Sequence, residues 1–142
     1  MTSRHLLFGA ALFVGVLCAN NALAAPGATC QQYGEIAFAA WTQGLDAHVG
    51  DHFAPEVKIH LPPGVLHEMW TQLQAQAGKF VSLGQFEPRT LDGHALMVAP
   101  IDFTSKRLAA LFSCNAKNQI TGLQVLDPNA VPGLKALVPT TH

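Results

Sequence analysis

The sequence predicts an α+β protein in which N-terminal helices pack on one face of a curved antiparallel sheet of three or four strands. Three observations carry this expectation. Apolar residues recur at helical spacing through the first part of the chain, they alternate at strand spacing through the second, and every strand-like run is bounded by turn-forming residues. In the first helix, Thr29 and Gln32 form a capping-box pattern, and Tyr33, Ile36, Ala37, Ala40 and Trp41 repeat on one face before Gly44. Asp46 is placed to cap a short second helix whose apolar pair is Val49 and Phe53, ended by Pro55. Residues 55–61 fit either a helical turn or a short strand, because Val57, Ile59 and Leu61 alternate with Lys58 and His60. Pro62-Pro63 suits a helix first turn, and Leu66, Met69, Trp70, Leu73 and Ala77 then form a single stripe that Gly78 ends.

The strands expected after Gly78 are 80–86, 95–103, 107–114 and 120–126, separated by Leu91-Asp92-Gly93, Thr104-Ser105 and residues 115–118. Residues 95–101 are apolar on both faces, as in an inner strand, although Pro100 demands a bulge or an unpaired edge. Gly122 breaks the alternation of the last strand. Pro128, Pro132 and Pro139 keep the tail, 128–142, from extending the sheet, and Val131, Leu134 and Leu137 are placed to dock as a short helical turn.

The start of the chain reads differently. Arg4 and His5 precede an apolar run from Leu6 to Cys18, and small residues at Ala22, Ala24 and Ala25 follow. That is the pattern of a secretory signal peptide over residues 1–25, and its 13-residue apolar run is shorter than the roughly 20 residues a spanning helix needs. The expected location is periplasmic or secreted, with one domain over 26–127 and no membrane contact after cleavage. Leu17 before Cys18 is too bulky for a lipidation site. Cleavage leaves Cys30 and Cys114 in an oxidising compartment, where an even pair is expected to close a disulfide; two buried free thiols are the alternative. Removing Arg4 leaves seven basic against nine acidic residues, so no basic surface is available for a phosphate backbone, and nucleic acid is not an expected partner.

The middle of the chain carries Phe53, Leu61-Pro62-Pro63, Leu66, Trp70-Thr71-Gln72-Leu73 and Gly78-Lys79-Phe80, with Ile120-Thr121-Gly122-Leu123 later. Over residues 30–127 it resembles the bacterial domain of unknown function 3887. The resemblance implies a secreted or surface-attached protein with a nuclear transport factor two-like cone fold, often placed before an α/β hydrolase domain. No G-x-S-x-G nucleophile elbow occurs in this sequence, so hydrolase activity is not implied here.

Candidate chemistry is sparse. His48 and His52 have the spacing at which two imidazoles on a helix meet one metal ion, but no third ligand lies nearby, and exposure on a polar face is the ordinary fate of such a pair. Cone-fold isomerases and cyclases need a base and an enolate stabiliser in one pocket; Asp102, His94 and Tyr33 are the available types. His94 and Asp102 lie roughly 26 Å apart along one strand, Tyr33 belongs to a core stripe, and Asp102 is placed to pair with Lys106 or Arg107. Tyr33, Trp41 and Trp70 are the residues whose rings would line a cone-fold cavity. No catalytic, cofactor or metal site is expected. The function expected is that of an exported non-catalytic module for a small apolar ligand or a protein partner; the alternatives are a small isomerase or cyclase, and a stand-alone accessory to a separate hydrolase.

Overall fold

The computed structural model describes residues 25–140, so the signal-peptide segment lies outside the described residues but for Ala25. Among the described residues four helices precede a five-stranded antiparallel sheet: α1 (Ala25–Thr42), α2 (Asp46–Val49), α3 (Pro55–His60), α4 (Pro63–Ala77), β1 (Phe80–Leu83), β2 (Glu87–Leu91), β3 (His94–Phe103), β4 (Arg107–Cys114) and β5 (Ile120–Leu126). The α+β class is as the sequence predicts, and the strand count is one higher than its upper bound. Helix α1 begins before the Thr29 capping pattern, because Pro26 falls in the first turn, where its missing N–H is not needed. Residues 55–60 are helical, with Pro55 in the first turn. Asp46 does not cap α2: Leu45 holds the cap position, and the Asp46 carboxylate reaches His67 Nδ1 on α4 at 2.9 Å.

The strand expected over 80–86 ends at Leu83, and a second strand, β2, follows in a stretch where Pro88 and two charged residues hid it. Both halves run along the same side of β3: Phe80 pairs with Phe103 and Leu83 with Ile101, while Glu87 pairs with Val98 and Leu91 with His94. They form one edge, broken at residues 84–86. Gly84 N–H donates to the Pro100 carbonyl at 2.8 Å, so Pro100, lacking an N–H of its own, sits where the edge is broken. The break also turns Phe86 inward, its ring 4.8 Å from that of Phe112. Asp92 and Gly93, both at positive φ, close the β2–β3 hairpin as a two-residue turn.

The helices cover one face of the sheet. Phe38, Trp41, Leu66 and Trp70 from α1 and α4 meet Ala99, Ile101, Phe103, Leu108, Ala110 and Phe112 from β3 and β4. Gly34 lets α1 lie directly on the Phe112 ring, which a Cβ at that position would penetrate. Gly78 ends α4 at φ +94° and brings its end against the β3–β4 turn, where Ser105 N–H donates to Ala77 O at 2.9 Å and Lys79 N–H to Thr104 Oγ1 at 3.0 Å. The opposite face carries Val98, Ala109 and Leu111, and the tail crosses it, burying Leu134 completely. A 3₁₀ turn over Lys135–Leu137 follows Leu134. The tail therefore docks on the sheet instead of lengthening it.

Candidate functional site

The residues singled out from the sequence go to separate places. Trp41 is 1% exposed and donates its Nε1–H to Leu66 O at 3.0 Å; the Trp70 ring lies 5.4 Å from it. Tyr33 stacks face to face on His52, with centroids 3.7 Å apart. None of the three lines the cavities described below, because the space between helices and sheet is filled by their rings and by Phe38, Phe86, Phe103 and Phe112. Helix α2 stops at Val49, so His48 and His52 do not share a helical face: His48 Nδ1 contacts Asp51 at 3.3 Å while His52 is held against Tyr33. Among the described residues, no group of three His, Cys, Asp or Glu could hold a metal ion. Asp102 binds Arg107 through two contacts, 2.6 Å to Nε and 3.0 Å to Nη2, and that hydrogen-bonded carboxylate raises the guanidinium above its usual pKa. His94 is exposed at the far end of β3.

What the structure assembles instead is a fork in the sheet. The register between β3 and β4 ends at Met97 and Phe112, yet β3 continues with β2 to His94, and β4 continues with β5 to Cys114. Two hairpins thus diverge from a shared stem. A register shift between Ser113 and Cys114, opposite Gly122, accompanies the divergence, since an extra residue in one strand bends it out of the common ladder. The broken alternation at Gly122 was the one sign of this in the sequence. Residues 95–101, read there as an inner strand on both faces, are exposed at Ala95 for the same reason.

A cavity lies on each side of the fork, and the two share Ala95, Leu96, Phe112, Ser113 and Cys114. On the face away from the helices, about 400 Å³ is bounded by His94, Leu96, Leu111, Ser113, Thr121 and Gln124. On the helix-facing side, about 330 Å³ is bounded by Cys30, Pro88, Ala95, Met97 and Cys114, with Asn115 and Arg89 at the rim. Cys30 and Cys114 bring the start of α1 to the end of β4 here, their sulfurs at disulfide distance, 2.10 Å apart. Two of the polar side chains beside the fork, Arg89 and Asn115, are engaged within the protein. Arg89 gives Nε to Leu137 O at 3.1 Å, Nη1 to Pro88 O at 2.8 Å and Nη2 to Glu87 Oε1 at 3.3 Å. Asn115 Oδ1 accepts from the N–H groups of Lys117 and Gln119, its Nδ2 donates to Gln119 Oε1, and Ser113 shares a hydrogen bond with Thr121. The second cavity accordingly offers a ligand an apolar, sulfur-bearing wall.

Fold and site together define an α+β protein with an open antiparallel sheet and an apolar cleft where two of its hairpins separate. No family model, curated protein or solved structure matches the chain. Among the described residues no helix is long and apolar enough to cross a membrane.

Proposed function

We propose that this protein is an exported, non-catalytic binding module that holds a small apolar ligand in the fork between its β2–β3 and β4–β5 hairpins. The observation that carries the reading is the helix-facing cavity itself, a concave and largely apolar space beside which Arg89 and Asn115 already hydrogen-bond to other groups of the protein. The groups that acid–base chemistry would draw on support it, because they stand apart from one another: Asp102 is tied to Arg107, Tyr33 lies against His52 away from the fork, and His94 stands in solvent at the other end of β3 from Asp102. Export and membership of the domain of unknown function 3887 are parts of the same proposal, supported by the N-terminal pattern and by the Pro-Pro helix with Trp70 and Gly78.

Ala95 is exposed and its place in the lining makes it the least disruptive position at which to fill the fork. Ala95→Trp is expected to leave the melting temperature of the free protein near wild type and to remove the upward shift that apolar ligands produce in a thermal-shift screen. His94→Ala, Asp102→Asn and His48→Ala with His52→Ala should each leave that ligand response within a few-fold. A ligand that still binds the Ala95→Trp variant unchanged would place the site elsewhere, and loss of a measurable turnover in Asp102→Asn without loss of stability would make the protein an enzyme. For export, intact mass of the secreted protein should begin at Ala25 or Pro26, and retained Met1 would refute the signal peptide.

A further inference from the structure

We infer that the ligand of the fork is an uncharged aromatic molecule, its ring held between the Met97 thioether and the Cys30–Cys114 disulfide. The inference rests on the binding reading above and names the chemistry of the occupant. Three features of the cleft lead to it. Met97, beside its register partner Pro88 on the β2–β3 hairpin, and both cysteines, with Cys114 on the β4–β5 hairpin, border the same cavity of about 330 Å³, and divalent sulfur is attracted to aromatic rings, with a preference that a saturated ring does not share. Arg89, which borders the cavity, has Nε and both terminal nitrogens donating to Leu137, Pro88 and Glu87, with Glu87 also balancing its charge. With three of its five N–H groups engaged and Glu87 offsetting its charge, Arg89 attracts a carboxylate or phosphate less than a free cation would, which favours a neutral ligand over an anion. The amide of Asn115 is likewise committed to Lys117 and Gln119. Sulfur and charge therefore both point to a neutral ring.

The test uses the exported chain with its disulfide intact and the uncharged fluorophore N-phenyl-1-naphthylamine as probe, displaced by 1-naphthol, by decahydro-1-naphthol or by 2-naphthoate. The expected result is saturable probe binding, displacement by 1-naphthol at several-fold lower concentration than by its saturated counterpart, and weaker displacement still by 2-naphthoate. Met97→Leu conserves volume and removes the sulfur, so it should weaken 1-naphthol by about twofold to tenfold and leave decahydro-1-naphthol unchanged. If both alcohols compete equally, or if Met97→Leu affects neither, the aromatic inference is overturned while binding at the fork stands. Strong displacement by 2-naphthoate would equally overturn the neutral-ligand claim. If the probe does not bind, or if Ala95→Trp binds it as well as wild type, the binding reading itself fails.

Discussion

Replacing Trp70 with alanine is expected to lower the free energy of unfolding by about 3–5 kcal/mol, the range for deleting a large buried aromatic side chain. Trp70 is 8% exposed and stands at the centre of the aromatic layer that joins α4 to the sheet, its ring 5.4 Å from Trp41, 5.8 Å from Phe80 and 5.7 Å from Phe103. These neighbours come from α1, β1 and β3, so no single element can shift to refill the space. Trp70→Phe, which keeps a ring and leaves a smaller void, should lose markedly less. Urea unfolding is the measurement, with the stability change read from the midpoint at unchanged denaturant slope. A loss below about 1 kcal/mol for the alanine variant would show that the ring is not part of the packed layer.

Removing the Cys30–Cys114 link is the second large effect. The two residues are 84 apart in sequence, and the chain-entropy model assigns a cross-link across such a loop up to about 4.5 kcal/mol. The double change Cys30→Ala with Cys114→Ala is expected to cost about 2–5 kcal/mol. A reductant should lower the unfolding midpoint of the wild type and leave that of the double variant unmoved. Peptide mapping under non-reducing conditions should recover Cys30 and Cys114 in one linked species; two thiols that label freely in the native, air-exposed protein would refute the link. Because this bond draws α1 against the fork, its loss should also weaken probe binding there more than Trp70→Phe does.

Helix α4 could be read from the sequence almost to the residue. A stripe at helical spacing, a proline pair at its start and a glycine at its stop all act within a few positions of one another, and local sterics decide them. Strands β3, β4 and β5 were legible for a similar reason, and so was the pairing of Asp102 with a basic residue across a two-residue separator. Strand β2 was not. Glu87-Pro88-Arg89 reads as a loop, and it is a strand because β3 presents an unpartnered side to it. The metal-like spacing of His48 and His52 lost its meaning when α2 stopped at Val49, since their approach depended on a helix that continues.

The sequence by itself determined the α+β class, the helix-first order, the inward stripe of α4 and the two cysteines available to each other, because periodicity and turn chemistry are properties of neighbouring residues. The stripe it placed on α1 was only partly right, since Ile36 is 51% exposed and Phe38, outside that stripe, is fully buried. Only the tertiary structure decided where ladders end and what covers each face. The tail is an example: its prolines bar it from the sheet, yet nothing local says that Leu134 will be buried on the face opposite the helices. The fork is another. Whether β3 and β4 remain paired beyond Met97 and Phe112 depends on a competition in which each strand can also pair on its far side, with β2 or with β5, over contacts distant in sequence. Helix α1 and the Cys30–Cys114 pair, at disulfide distance, then close one side of the opening, and a cleft forms from residues that, taken in sequence order, read as an ordinary inner strand and its turn.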